Sequence, residues 1–208
     1  MLSRLSFLRA LALAAGLAST AAAQSSARRP ASGPVLPPAP FAQPEVGAVF
    51  QYDGFSNRIL GGKGLVTRFV DDLNRDGSRF GIFFVDNANA PLVYSKDALT
   101  ALFPLSNGKR VRFVGTRGDL QWLYEARVVG TERATTPAGS FDTWVVETIE
   151  APKRTAAPTT AVTIVSTFWY APSVKNIVRL MTISTNPSGE KQLRRVELRS
   201  ITRPNAEP

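Results

Sequence analysis

The chain has 208 residues and carries 25 Lys and Arg against 16 Asp and Glu, a formal charge of +9, with neither histidine nor cysteine. Those two absences exclude Ser-His-Asp and Cys-His nucleophilic systems, ordinary zinc sites, disulfides, and a lipoprotein anchor, which needs a Cys after the cleavage point. Carboxylate chemistry, Ser-Lys chemistry and oxygen-ligated calcium stay open.

Residues 1–23 carry Arg4 and Arg9, then the apolar run Ala10–Ala18, then Ala21-Ala22-Ala23. A basic start, a short apolar middle and an Ala-x-Ala end make a secretory signal peptide. The run is shorter than the about 20 apolar residues of a membrane span. The sequence therefore predicts an exported protein, periplasmic or secreted, that begins at Gln24 and has no transmembrane anchor. Losing Arg4 and Arg9 leaves +7, a balance that suits anionic envelope partners. Nucleic acid is not expected for an exported chain. Residues 24–45 are rich in Pro, Ala and Ser without periodicity, the composition of a disordered linker.

From Val46 the pattern turns to short apolar runs between turn residues. In chain order they are Val46–Tyr52, Gly64–Val70, Arg79–Val85, Lys109–Gly115, Trp122–Val129, Phe141–Ile149, Val162–Tyr170, Ile177–Ile183 and Gln192–Ile201. Their Val, Ile, Phe, Thr, Trp and Tyr content predicts β-strands. Only Ser95–Leu102 reads as a helix, with Ser95 as cap and Asp97 in the first turn. The expected fold is a single all-β antiparallel domain over 46–203, of about nine to ten strands, as a strongly curved sheet, open barrel or sandwich with one short helix. Residues 204–208 form a tail.

Asp72-Leu73-Asn74-Arg75-Asp76-Gly77 fits D-x-N-x-D-G, the first half of a calcium loop in which alternate side chains aim oxygens at one centre. The twelfth position, where a bidentate Glu belongs, is Phe83, and Arg75 places a positive charge in the loop. A hairpin turn explains the same residues; Asp72, Asn74 and Asp76 are the candidate metal ligands, and calcium is the one possible cofactor. Candidate carboxylates for acid-base work are Asp71, Asp72, Asp76, Asp86, Glu125, Asp142, Glu147 and Glu150, and none has a spacing that demands it. No residue is assigned as catalytic. Basic residues gather at Lys109, Arg110 and Arg112 and again at Lys191, Arg194, Arg195, Arg199 and Arg203. Glu197, interposed between Arg195 and Arg199 on one face, points to solvated ion pairs rather than a polyanion groove. Trp122, Trp144 and Trp169 read as core more readily than as a stacking platform. In Phe168-Trp169-Tyr170 the period of two puts Trp169 on the face opposite its neighbours, and Pro172 ends the strand.

Thr136-Pro137-Ala138-Gly139-Ser140-Phe141 and Trp169-Tyr170-Ala171-Pro172 carry a P-A-G-[ST]-F turn and a W-[YF]-A-P corner. The pair resembles exported bacterial β-domains of unknown function, the TapB-like and related uncharacterised domains. Where many members have Gly-Val-Gly after the corner, this chain has Ser173-Val174-Lys175-Asn176. The resemblance implies a β-rich exported domain and no activity. The leading reading is a non-enzymatic binding or envelope-associated module that holds an apolar or anionic envelope ligand or a partner. The alternative is a carboxylate-dependent hydrolase acting on an envelope glycan.

Overall fold

Neighbouring apolar runs pair with one another wherever a short turn allows it, and most of the sheet follows from that. The computed structural model describes residues 31–85, 96–117, 120–153 and 162–204; the leader at 1–23, Asp86 and Ser95 lie outside them. The strands are β1 (Ala31–Ser32), β2 (Val49–Tyr52), β3 (Phe55–Lys63), β4 (Val66–Asp71), β5 (Asp76–Phe80), β6 (Phe83–Val85), β7 (Arg110–Arg117), β8 (Leu120–Thr136), β9 (Gly139–Pro152), β10 (Thr163–Ala171), β11 (Asn176–Thr185) and β12 (Lys191–Thr202). The single helix, α1, spans Lys96–Ala101. Apart from the short β1 and β6, ten strands carry the fold. They form one curled, open sheet in the order β1-β8-β9-β10-β11-β12-β2-β3-β4-β5-β6, with β7 also on β8. Every pairing is antiparallel except β1 on β8. The expected all-β class is therefore the observed one, and its form is the curved sheet.

Three elements differ from the sequence reading. β3 has no strand signature of its own, because Gly61, Gly62, Asn57 and Arg58 dilute its alternation; its partners β2 and β4 supply the order that propensity does not. The run Arg79–Val85 splits into β5 and β6 at Gly81, whose φ of 58° is the left-handed turn that glycine takes without strain. Finally, residues 33–45, part of the expected linker, lie on the sheet as a strap. The Thr131 hydroxyl donates to the Pro34 carbonyl at 2.6 Å. Ala39 bridges to Leu105, and Phe41 meets Phe103 edge to face. Gln43 donates to the Gly64 and Val66 carbonyls and accepts from the Thr67 hydroxyl. Composition misses this because a proline-rich segment cannot build its own core, yet its stiff backbone lies cheaply against one that already exists.

Two apolar clusters fill the space on either side of the sheet. One gathers Ile82, Phe83, Leu99, Leu102, Leu105, Ala126, Val128, Trp144, Val146, Phe168, Tyr170 and Ile177. The other gathers Phe50, Tyr52, Ile59, Ala134, Val145, Trp169, Ala171, Val178, Val196 and Leu198. Phe168 and Tyr170 thus face one cluster and Trp169 the other, as the period of two requires. All three tryptophans are buried. The long hairpin β8–β9 reaches the second cluster by bending at a bulge between Val128 and Gly130, which carries its turn over to β12, where the Ala138 N–H donates to the Leu198 carbonyl.

Candidate functional site

The corner after Trp169-Tyr170-Ala171-Pro172 positions the inner polar residues. The Val174 N–H donates to the Ala171 carbonyl and the Lys175 N–H to the Pro172 carbonyl. Lys175 takes a φ of 55°, the conformation that a glycine would adopt at this turn. The turn delivers Asn176 to the start of β11 with 2% exposure. Its Oδ1 accepts from the Ile177 N–H at 2.8 Å and from Arg79 Nη1. Two donors on one oxygen fix the amide orientation, so Nδ2 points the other way as a donor.

Arg79 arrives from β5, which is remote from β11 in the strand order; the curl of the sheet brings the two together. It is 3% exposed. Its neighbours among the described residues are Asn176, Tyr52 and Tyr170, and no carboxylate. The Tyr52 hydroxyl donates to the Ile177 carbonyl at 2.9 Å. Burial pushes the Tyr52 phenol up to about 12 against the pull of Arg79. Burial raises Tyr170 too, with Ala42 and Arg79 opposing. Both phenols are therefore neutral near pH 7. Burial also lowers the Arg79 pKa, partly offset by the two tyrosines, but a guanidinium starts so high that it stays cationic.

The outer face follows the opposite rule. In register across the sheet, Arg112 faces Glu125, Glu125 faces Ile149, and Ile149, Val165, Ile183 and Leu193 continue the row. The next row runs Arg110, Arg127, Glu147, Thr167, Met181 and Arg195. Glu125 takes Arg112 at 2.7 Å and Arg110 as well. Glu147 takes Arg127 at 2.6 Å; nearer the hairpin turn and on the other face of β9, Asp142 takes Arg133 at 2.9 Å. Glu197 takes Arg179 at 2.8 Å and Arg195 at 2.6 Å, while Arg199 meets Asp53. Arg179 also lies over the Trp169 ring, 5.3 Å from its centroid. Burial works to raise Glu125 and Glu197, but their arginine pairs outweigh it and hold both below the usual range. Asp53 and Asp142 are lowered by their hydrogen bonds to Arg199 and Arg133.

The free edge of β12 belongs to this face. β2 pairs with β12 only from Leu198 onward, and among the described residues nothing pairs with the other side of Lys191–Val196. The Glu197 carbonyl and N–H both point to the β2 side, to the Asp53 N–H and carboxylate. Alternation then turns the main-chain groups of Leu193 and Arg195 to the same free side. Leu193 is 67% exposed. Lys191 and Arg194 beside it carry no ion pair among the described residues.

The sequence-predicted residues scatter over this framework. Asp71, not Asp72, organises the β4–β5 turn: its carboxylate accepts from the Leu73 and Arg75 N–H groups at 2.9 and 2.8 Å and pairs with the Arg75 side chain. Those contacts, the Arg75 N–H first, hold Asp71 low. Asp72, Asn74 and Asp76 are exposed on a hairpin turn where Asn74 has a φ of 57°. Among the described residues no three carboxylates converge as a metal site. Glu125 and Glu150 do border one cleft, with Phe83, Leu99, Phe113, Tyr124, Ala126 and Thr148, and its free volume of about 10 Å³ is no more than a single water occupies. A single Arg in a strand and an Asn after a turn are ordinary, so the sequence does not mark Arg79 or Asn176. Only the curl joins them.

A family model matches residues 93–196, half of the chain, and its description is a protein of unknown function, DUF3108. The chain belongs to the DUF3108 family. The matched segment holds β7–β11 and most of β12, hence the outer face, Tyr170 and Asn176; Arg79 and the strap lie outside it. Among solved structures, the hypothetical lipoprotein YmcC of Escherichia coli is 10% identical, with a TM-score of 0.46 over 77% of this chain and 84% of that one. A Bacteroides fragilis protein, proposed as exported and described as having a YmcC-like fold, is 18% identical, with a TM-score of 0.43 over 79% of this chain and 100% of that one. No curated protein matches the sequence. Among the described residues no helix of this DUF3108 member is long and apolar enough to cross a membrane.

Proposed function

We propose that this DUF3108 domain is a non-enzymatic interaction module of the bacterial envelope, exported to the periplasm or beyond, that takes an acidic extended segment of a partner along the free edge of β12. The carrying observation is that edge, with Leu193 67% exposed between Lys191 and Arg194. A strand added there gains main-chain hydrogen bonds, and one apolar side chain on it extends the row Ile149-Val165-Ile183-Leu193. Acidic side chains meet Lys191, Arg194 and Arg195, whereas two copies of the same edge repel each other. The export leader supports the location, and the P-A-G-[ST]-F and W-[YF]-A-P motifs are the basis for an affinity to TapB-like domains.

The alternative, a carboxylate-dependent hydrolase acting on an envelope glycan, draws on Glu125 and Glu150 at the small cleft. Such hydrolysis needs one carboxyl kept protonated as general acid. The other carboxylate must be free to act as nucleophile or base, and both oxygens of Glu125 are instead taken up, Oε1 by Arg110 and Oε2 by Arg112, which favours the binding reading.

The test uses a fluorescent peptide that alternates Val and Glu, with a Val-Lys peptide as control. Binding should be confined to the acidic peptide and weaken as salt rises. Leu193→Pro removes an N–H that faces the free side, so the fold tolerates it while the edge is blocked. Equal binding by wild type and Leu193→Pro would rule out the edge as the docking site.

A further inference from the structure

The ion pairs that cover β7–β12 do not extend to β3 and β4. There the register puts Arg58 opposite Val70 and Lys63 opposite Val66, and a bulge sets Leu60 and Gly61 together against Arg68. Alternation turns Asn57, Ile59 and Thr67 inward, all of them buried, and leaves Arg58, Leu60, Lys63 and Arg68 exposed on the other face. A Cβ on Gly61 would meet Val46 Cγ2 at 3.5 Å, so Val46 stands over that same exposed face. Val46 is 61% exposed and Leu60 40%. Among the described residues no carboxylate pairs with Arg58, Lys63 or Arg68. Asp76 ends the row Arg58-Val70-Asp76 and Glu45 precedes Val46, yet neither takes one of the three cations.

Cations alone would suit any polyanion. Apolar side chains standing among them gain only where their tips leave water while the charged heads stay with acceptors at the same depth. A bilayer interface offers both layers, phosphates outside and acyl chains beneath. A soluble acidic polymer offers only the charge. We propose that this outer face of β3–β4 docks on an anionic phospholipid membrane, with Arg58, Lys63 and Arg68 on the phosphates and Val46 and Leu60 as shallow apolar insertions. This surface is separate from the β12 edge and adds to its reading. Attachment is reversible, because each basic residue contributes roughly fivefold to partitioning onto an anionic surface and two small side chains add a modest further gain.

Co-sedimentation of the chain from Gln24 onward with phospholipid vesicles tests this. Vesicles of equal parts phosphatidylglycerol and phosphatidylcholine should carry the protein down, and phosphatidylcholine alone should not. Binding should fall as salt rises. Arg58→Gln with Arg68→Gln should weaken it by at least about tenfold. Lys153→Gln with Lys175→Gln removes the same two charges from exposed sites elsewhere and should weaken it by less than about twofold. Leu60→Ser keeps every charge and should weaken it by about threefold. All these variants are surface changes and should keep the wild-type Tm within about 2 °C. No sedimentation of the wild type with phosphatidylglycerol overturns the proposal. Equal losses in the two double variants also overturn it, by reducing the effect to net charge. Unchanged vesicle binding by Leu60→Ser does so too, leaving a surface for soluble acidic polymers. Peptide binding at the β12 edge is measured without vesicles, so either proposal can fail alone.

Discussion

The surface and the interior of this sheet treat arginine in opposite ways. Outside, Arg110, Arg112, Arg127, Arg133, Arg179, Arg195 and Arg199 each meet a carboxylate. Inside, Arg79 meets two tyrosines and an asparagine. The arginines at 110, 112, 133, 195 and 199 reach solvent, where an ion pair contributes little and can be lost by itself, while Arg127 and Arg179 are partly buried with their carboxylates. The inner cation has no such tolerance, because water does not screen it. The buried arginine is therefore the sensitive one, and among the described residues it has no counter-charge.

The strongest way to break that contrast is truncation. Arg79→Ala should destabilise the domain by about 2–4 kcal/mol in urea unfolding, through the space it leaves and the acceptors it strands. Arg112→Ala, on an exposed pair, should cost about 1 kcal/mol or less. Equal losses would refute the distinction. Next in size is the strap. A Cβ on Gly33 would sit 2.1 Å from the Thr131 carbonyl oxygen, so Gly33→Ala should lift the start of the strap off β8, cost about 1–3 kcal/mol, and expose residues 33–45 to limited proteolysis.

Surface and interior should also separate by pH. Asp53, Asp71, Glu125, Asp142 and Glu197 are all held below their ordinary values of 3.8 and 4.5. A carboxylate with a depressed folded pKa stabilises above its unfolded value and loses that contribution as protons bind. The surface pairs should thus weaken only below about pH 4.5. Tyr52 works in the other sense: its folded pKa is raised from 10.0 to about 12, so its contribution is complete below pH 10 and disappears between 10 and 12. A pH series of urea midpoints should show an acid limb altered by Asp142→Asn and an alkaline limb altered by Tyr52→Phe. The smallest effect concerns calcium. With Asp71 committed to the turn and Arg75 beside it, millimolar calcium against chelator should shift Tm by less than about 1 °C. A clear rise, lost in Asp72→Asn, would restore Asp72, Asn74 and Asp76 as ligands.

Much of the fold was legible from residue order. β7–β12 follow the apolar alternation closely, and the outward ion pairs follow from Glu197 lying between Arg195 and Arg199. Phe168-Trp169-Tyr170 divides between two cores as a period of two demands. What stayed hidden depends on distant pairing. β3 is ordered by its neighbours rather than by its own glycine-rich sequence. The strap borrows a core that its prolines cannot build. The inner cation requires β5 and β11 to meet, and no local pattern encodes a contact |i−j| = 97 residues apart.

β12 closes on β2 by pairing Leu198–Thr202 with Val49–Tyr52. Those strands stand at opposite ends of the chain, so the sheet cannot be completed until nearly all of it is present. Long-range closure of this kind makes β-rich domains slow to fold, on the scale of about milliseconds to seconds. A polypeptide of this topology stays open until its last strand arrives, so the order in which its strands are made sets the moment at which the sheet can close.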